Sequence, residues 1–325
     1  DWSSDVCSSD LNPMSQFDIV SKFNEYAKNP GTAIPVAAIL AMDDYVQNNI
    51  PTSVTGFVND LYLAKKQLLE ADTEAERKRG AIGKLCLQSG CDIYIKGVTR
   101  GINQENFDEC IRGILARSSS LKELSLHKRR FIADSGKQLI RDGMTILTHG
   151  VSRVVRDIII SCKNRKRLTV LVTAGGLERD GVAVANELEA SGIHTTLIPD
   201  SSVGYFMSHV NLVLMGAEAV VETGGILNKL GSLQIGVLAK TFNVPVYIAT
   251  ETYKFTRMYP LSQKSVPVDE TDKVIIACSR PKDLNEGVEY AAARCDYLPP
   301  EYITLLMTDL GMMAPSAVSD ELLKL

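Results

Sequence analysis

The stretch that decides the fold of this chain is "NLVLMGAEAVVETGGILNKLGS", residues 211–232. It begins with an apolar run at 211–215, and the carboxylate of Glu218 and a glycine-rich turn follow. A helical pattern is expected from there, over residues 228–242. A strand that is apolar on both faces, followed by a polar loop and a helix, is typical of proteins that cover a parallel sheet on both sides.

Four other apolar runs rich in β-branched residues have the same form, at 144–148, 168–173, 193–198 and 244–249. Helical patterns lie between them, for example at 152–162 and 180–191. We therefore predict a Rossmann-like, doubly wound parallel sheet over residues 143–325. In such sheets ligands bind beyond the carboxyl ends of the strands.

The first half of the chain has helical periodicity instead. Apolar residues recur at steps of three and four, as at Ile34, Ala37, Ala38 and Ala41. Asn, Pro and Gly interrupt the pattern at 29–31 and 49–51. Ser120 and Glu123 have the form of a capping box, which predicts a helix from 120 to 140. We expect a helical domain over residues 14–142.

The first 13 residues do not fit either pattern. The triplet Ser-Ser-Asp at 3–5 recurs at 8–10 in a serine-rich context. We interpret residues 1–13 as a cloning or assembly scar and exclude them from the prediction of the fold.

Composition excludes several function classes. The chain has 325 residues, 45% of them hydrophobic, and a net charge of −4, which gives no general reason to expect nucleic-acid binding. Two basic runs, at 127–130 and 163–167, are interpreted as solvated faces near helix ends. Seven cysteines without a CxxC pair indicate reduced thiols and no metal site. The longest apolar run, at 33–42, is far shorter than the roughly 20 residues that span a bilayer. We expect a soluble cytoplasmic protein that has no membrane segment.

Polar residues follow every predicted strand, so a polar pocket is expected at their shared edge. The glycines at 175, 176 and 181 lack the GxGxxG spacing of a dinucleotide site. No segment has the GxSxG form of a nucleophile elbow, so His149 and His194 have no evident serine partner. His194 lies inside a strand and is interpreted as a packed or edge residue.

The turn at Gly224 and Gly225, with Asn228 and Lys229, is the better candidate. Backbone N–H groups at a helix N-terminus attract anions, and Lys229 adds a charged donor. The alternative is a capped helix with a surface lysine. The predicted ligand-binding residues are Glu218, Gly224, Gly225, Asn228 and Lys229, with His149, Ser152 and Asp309 from other loops.

Three stretches resemble a known family: "ILTHGVSRVVRDII" (146–159), "VLMGAEAVVETGGILNKLGS" (213–232) and "ITLLMTDLGMMAPSAVSDELLKL" (303–325). They are similar to the alpha-subunit family of eukaryotic translation initiation factor 2B. The resemblance runs from about Phe17 to Leu325 and is strongest after Thr145.

This resemblance implies a regulatory subunit in a guanine-nucleotide exchange complex. Members form homodimers that join two copies of the beta, gamma, delta and epsilon subunits, and catalysis of exchange resides in another subunit. The helical domain would sense phosphorylated initiation factor 2 in the integrated stress response. Basic candidates for that contact are Arg77, Lys78, Arg79 and Lys84. Residues 203–207 are predicted to be partly hidden in the homodimer.

The wider family includes isomerases of methylthioribose 1-phosphate and ribose 1,5-bisphosphate. In these enzymes a cysteine follows the first strand and an aspartate follows the fourth, where this chain has Gly150 and Glu218. Asn228 and Lys229 match the family, whereas residues 173–177 depart from its pattern. Two hypotheses follow. The first is a non-enzymatic regulatory subunit that needs no cofactor and has a pocket for a sugar phosphate or nucleotide monophosphate. The second is a sugar-phosphate isomerase. Gly150 favours the first, because glycine has no side chain to act as nucleophile or acid.

Overall fold

The computed structural model describes residues 17–29, 31–49, 53–100, 107–163 and 167–324. The segment 1–13 interpreted as a scar lies outside these ranges. The described chain begins with a helical region whose five helices are α1 Ile19–Lys28, α2 Ile34–Asn48, α3 Val54–Glu70, α4 Glu74–Thr99 and α5 Phe107–Gly136. The predicted helical character of this region is confirmed, and α2 begins and ends between the two positions at which interruptions were expected. The domain limits of 142 and 143 stay a prediction.

Helix α5 corrects the prediction of a helix start at Ser120. The helix continues through that position, and the Ser120 hydroxyl donates to the carbonyl of Ala116 at 3.0 Å, one turn earlier. Serine can satisfy its hydroxyl inside a helix in this way, so a serine followed by a glutamate three residues later does not by itself mark a helix start.

Strands and further helices follow. The strands are β1 Thr145–Thr148, β2 Thr169–Thr173, β3 His194–Ile198, β4 Leu212–Met215, β5 Ala219–Val221, β6 Ile226–Lys229, β7 Val246–Ala249, β8 Phe255–Thr256, β9 Cys295–Leu298, β10 Leu305–Thr308 and β11 Gly311–Met313. The helices are α6 Arg153–Cys162, α7 Gly181–Ala190, α8 Val203–Phe206, α9 Ser232–Thr241, α10 Glu270–Cys278 and α11 Val318–Lys324.

The large sheet has seven strands in the order β11-β10-β7-β4-β1-β2-β3, and only β11 runs antiparallel. All five strands predicted from apolar runs lie in it, so the parallel α/β fold is confirmed. Successive residues enter cores on opposite faces: Ile146 packs with α6 and α7, whereas Leu147 packs with α8 and α9. Burial on both faces explains why these strands are continuously apolar.

A second sheet of four short strands, in the order β8-β5-β6-β9, was not predicted. One face, with Ala219 and Leu227, belongs to the core of the helical region. The other face, with Val220 and Ile226, belongs to a core of the large sheet. The small sheet therefore joins the two parts of the chain. The predicted helix at 228–242 is wrong at its start, because Asn228 and Lys229 end strand β6 and α9 begins at Ser232.

Helix α4 bends at Gly80, whose φ is 57°. A Cβ at this position would lie 2.2 Å from the Asp272 carboxylate of α10, so the close approach of the two helices requires glycine. His194 is exposed on the edge strand β3, as interpreted from the sequence. Within the described ranges, no helix is long and apolar enough to cross a membrane.

Candidate ligand-binding site

A cavity of about 300 Å³ lies at the carboxyl edge of β4, beside β6 and the bend of α4. Its charged lining consists of three cations and three carboxylates: Arg79, Lys229, Arg294, Glu178, Asp180 and Glu218. A neighbouring space of about 30 Å³, enough for one water molecule, is also lined by Glu218. The second space includes His149, Ser152 and Asn228 in its walls. Five of the eight predicted ligand-binding residues therefore meet in one place.

The other three lie elsewhere. Gly224 and Gly225 form the turn between β5 and β6, and a Cβ on Gly224 would lie 2.0 Å from the carbonyl oxygen of Pro315. This turn is not at a helix N-terminus, so that reason for expecting an anion site at the two glycines is wrong, and their role in ligand binding stays a prediction. Asp309 follows β10 and accepts bonds from the backbone N–H of Thr252 at 2.7 Å and from its hydroxyl at 2.8 Å.

The N-terminus of α9 is occupied by a carboxylate of the chain. Asp296 accepts from the backbone N–H groups of Gly231 and Leu233, at 2.9 and 3.0 Å. Burial raises the pKa of Asp296 to about 6, although these two bonds favour its charged form. These two amides at the start of α9 are thus already paired within the chain.

Lys229 faces the 300 Å³ cavity as part of a group that we call the outer cluster: Glu178, Asp180, Lys229, Asp272 and Arg294. Glu178 pairs with Lys229 through one oxygen and accepts from Arg294 Nη2 at 2.7 Å through the other. Arg294 also donates to Asp272 at 2.8 Å. Burial opposes the charge of Glu178, but hydrogen bonds from Lys229 and Arg294 lower its pKa.

Glu218 is paired with Arg79, which α4 directs toward the carboxyl edge of the sheet. From the sequence, Arg79 was predicted to be one of the basic residues that contact initiation factor 2, and its position in this pocket was not predicted. Neighbouring Arg77 instead contacts Asp72, with its Nε 3.1 Å from the carboxylate. Arg79 and Glu218 are 139 positions apart in the chain, so no local sequence pattern connects them.

A more buried group, the inner cluster, lies behind the pocket and consists of Lys128, Arg129, Glu251, Tyr253, Lys254 and Asp309. Lys128 Nζ is 2.8 Å from Asp309, and Arg129 Nε is 3.6 Å from Glu251. Both cations come from the basic run at 127–130, so the interpretation of that run as a solvated face is wrong for them. Burial opposes the charge of Glu251, but Lys254 and the Tyr253 hydroxyl lower its pKa to about 2.

His149 is held as a neutral ring. Its Nε2 lies 3.0 Å from the carbonyl of Leu230, which only accepts, so Nε2 carries the proton. Nδ1 then accepts from the Thr173 hydroxyl at 2.6 Å. Burial lowers the pKa of His149. The ring therefore fixes two loops and has no free nitrogen for a ligand.

Ser152 and Asn228 also use their side chains within the chain. The Ser152 hydroxyl accepts from the N–H of Val155 at 3.3 Å and caps α6. The Asn228 amide donates to the Ser232 hydroxyl at 2.9 Å. The roles of Ser152 and Asn228 in ligand binding stay predictions. The charged donors that face the 300 Å³ cavity are Lys229, Arg79 and Arg294.

Gly150, next to His149, has a φ of +72°, and a Cβ there would lie 3.2 Å from Lys229 Cγ. This left-handed backbone favours glycine, because L side chains adopt it at a cost. A side chain at this position would also press on the lysine of the pocket. The local backbone thus suits the residue present.

The glycines after β2 are bound from within the chain as well. The N–H groups of Gly175 and Gly176 donate to the Asp200 carboxylate at 3.2 and 2.8 Å. Four carboxylates of the chain therefore already occupy groups that could bind an anion. Asp200 and Asp296 accept from backbone N–H groups, and Glu178 and Glu218 pair with cations.

This chain is similar to known proteins in sequence and in fold. The translation initiation factor eIF2B subunit alpha of Dictyostelium discoideum is 38% identical over 319 residues, which cover 94% of this chain and 96% of that protein. Ribose 1,5-bisphosphate isomerase of Archaeoglobus fulgidus is 32% identical over 213 residues, or 65% of this chain and 67% of the enzyme. A chain of the tetrameric eIF2B-beta2-delta2 complex from C. thermophilum has the same fold, with a TM-score of 0.70 and 18% identity over 94% of this chain and 93% of that one.

The family comparison agrees with these relatives. Residues 27–315 match the initiation factor 2 subunit family, and this range includes helices α2 to α5, both sheets and the residues that line the pocket. This chain is a member of the initiation factor 2 subunit family.

Proposed function

We propose that this chain is the alpha-type regulatory subunit of a guanine-nucleotide exchange complex for initiation factor 2. The observation that carries the proposal is the 38% identity with an eIF2B alpha subunit along 96% of that protein's length. Gly150 supports a role without catalysis, since its position has no side chain that can react. The proposed location is the cytoplasm.

The proposed partners are a second copy of this chain and the beta, gamma, delta and epsilon subunits of the complex. Within residues 203–207 the Tyr205 side chain is 79% exposed, whereas Val203 and Met207 are buried, so Tyr205 is available for a subunit contact. Purification from its own cells and mass spectrometry should find these subunits. Light scattering of the isolated chain should give twice its mass of 35.5 kDa. A monomer at micromolar concentration contradicts the homodimer.

The subunit's proposed role is to let the complex sense phosphorylation of the alpha subunit of initiation factor 2. An exchange assay with and without this chain tests it, using phosphorylated and unphosphorylated factor. The phosphorylated factor should inhibit the complete complex, and removal of this chain should abolish most of that inhibition. Equal inhibition in both complexes would refute the role.

The 300 Å³ cavity is proposed to bind a sugar phosphate or nucleotide monophosphate without converting it. Lys229 and Arg294 suit a phosphate, and carboxylates such as Glu218 suit sugar hydroxyls. Calorimetry with ribose 5-phosphate should show binding, and Lys229→Ala should weaken it about tenfold by removing one charged donor. Glu187→Ala, outside the pocket, is the matched control.

A sugar-phosphate isomerase is the second candidate, and Glu218 at the end of β4 favours it. By the resemblance to the wider family, this position corresponds to an aspartate of the isomerases. NMR of ribose 1,5-bisphosphate after incubation with the chain decides between the two. The regulatory proposal expects unchanged substrate. Conversion to the ketose that is abolished by Glu218→Gln would establish the isomerase.

A further inference from the structure

We propose that Glu178 is a built-in competitor for the anionic group of the ligand, so that this residue sets which anions the pocket accepts. The inference rests on the proposed ligand-binding function of the same cavity. It assigns to Glu178 a specificity role that follows from its contacts in the outer cluster.

Glu178 occupies the two cations that a phosphate would need. One carboxylate oxygen pairs with Lys229, and the other accepts from Arg294 Nε at 3.0 Å and Nη2 at 2.7 Å. This two-oxygen bridge between an ammonium and a guanidinium is the arrangement that a phosphate group also makes. The Glu178 carboxylate thus occupies the position that the anionic group of a ligand would take.

A phosphate that approaches Lys229 meets a carboxylate of the same sign on the same ammonium group. Asp180 adds a second carboxylate, with its oxygen 3.6 Å from Lys229 Nζ. The phosphate must therefore displace Glu178 or bind more weakly beside it. An uncharged sugar has no such conflict. Glu178 therefore weakens the binding of anions that cannot displace it, and it leaves the binding of uncharged sugars unchanged.

Glu178 lies in the turn between β2 and α7, outside the sheet. The preceding glycines, Gly175 and Gly176, have φ angles of +92° and +52°, and Arg179 has a φ of +51°. Nothing lies within 4 Å of a Cβ placed on Gly176. Asp200 fixes the start of the turn through two backbone N–H groups, and α7 fixes its end at Gly181. Displacement of Glu178 by a phosphate would therefore need to change only the turn at 176–180.

The test compares wild type with Glu178→Gln and with a matched control, Glu187→Gln. Glu187 makes an ion pair with Arg156 at 2.9 Å on α7, away from the cavity. Calorimetry with ribose 5-phosphate and inorganic phosphate should show about tenfold tighter binding to Glu178→Gln, from removal of a like charge near the phosphate. Glu187→Gln should match wild type, and free ribose should bind all three proteins equally.

Hydrogen exchange on the wild-type chain gives a second readout that does not depend on a variant folding well. Saturation with ribose 5-phosphate should speed exchange of the amides at 176–180, because Glu178 is released from its cations. Unchanged or slower exchange there, with ribose 5-phosphate bound, overturns the inference.

The outcomes separate this inference from the function on which it rests. If wild type binds ribose 5-phosphate and Glu178→Gln binds it equally or more weakly, the competitor role is refuted and the pocket stands. If neither protein binds ribose 5-phosphate or inorganic phosphate, the phosphate pocket is refuted and the inference falls with it.

Discussion

The inner and outer clusters lie at the same edge of the sheet and use the same chemistry, yet Glu251 and Glu178, the carboxylates that bridge their cations, differ in burial. Glu251 of the inner cluster is 2% exposed, whereas the side chain of Glu178 in the outer cluster is 32% exposed. The outer cluster lines a 300 Å³ cavity. A charge without access to water depends on its protein partners, but a charge beside open space can exchange them for a ligand or water.

The two clusters also attach different helices to the sheet. Lys128 and Arg129 bring α5 against the loops that follow β7 and β10. Asp272 brings α4 into the outer cluster, because its carboxylate accepts from the N–H of Ala81 at 3.2 Å as well as from Arg294. The inner cluster is expected to stabilise the fold, and the outer cluster to respond to a ligand.

The largest expected effect comes from Glu251→Ala. This change leaves the partly buried cations Arg129 and Lys254 without their buried carboxylate, which costs about 3–5 kcal/mol in the free energy of unfolding. Glu178→Ala removes a carboxylate whose side chain is 32% exposed and should cost about 1 kcal/mol or less. Urea denaturation of the two variants and wild type measures both values. Equal losses would show that burial does not separate the clusters.

Gly80→Ala tests how rigidly α4 is attached to the outer cluster. Alanine must adopt a φ near 57° and its Cβ would overlap the Asp272 carboxylate, so we expect a loss of about 2–4 kcal/mol. Gly143→Ala is the matched control. Gly143 also has a positive φ, of 79°, but nothing lies within 4 Å of its Cβ position. If both changes cost the same in urea denaturation, the contact with Asp272 adds nothing.

The large sheet was predictable because each strand fits a local rule. Residues 168–173 are apolar on both faces and lie between helices, and this pattern alone specifies a buried parallel strand. The small sheet has no such pattern. Strand β8 has only two residues and pairs with β5, which lies more than thirty positions earlier in the chain. Only tertiary contacts specify strands of this kind.

The same distinction divides the pocket. Glu218 and Lys229 were predicted to lie together because they follow a strand in one continuous stretch. Arg79 and Glu178 were not predicted, because their partners lie 139 and 51 positions away. The glycines at 224 and 225 misled the prediction, since a hairpin turn and a helix start use the same residue type.

Gly150→Cys tests whether the pocket lacks only the cysteine found in the wider family's isomerases. The left-handed backbone should make this variant less stable by about 1–2 kcal/mol. Its Cβ would also displace Lys229 by a few tenths of an ångström. We expect no conversion of ribose 1,5-bisphosphate by NMR and a lower midpoint in urea. Activity gained by this single change would show that the outer cluster is an almost intact active site.

Asp296→Asn gives the smallest expected effect and sharpens the comparison, because Asp296 is a buried carboxylate that accepts from backbone N–H groups rather than from a cation. Its pKa is about 6 when folded, above the ordinary value of 3.8, so the folded state holds the proton more tightly. The resulting stability is complete below pH 3.8 and is lost as the pH rises through 6. Asparagine keeps an oxygen for Gly231 and Leu233 and has no charge to titrate. Between pH 5 and pH 7, wild type should therefore lose about 1 kcal/mol of unfolding free energy relative to Asp296→Asn. Urea denaturation at the two pH values measures this difference. If wild type instead gains unfolding free energy relative to Asp296→Asn between these pH values, the two N–H groups stabilise the charged form as well as a cation does.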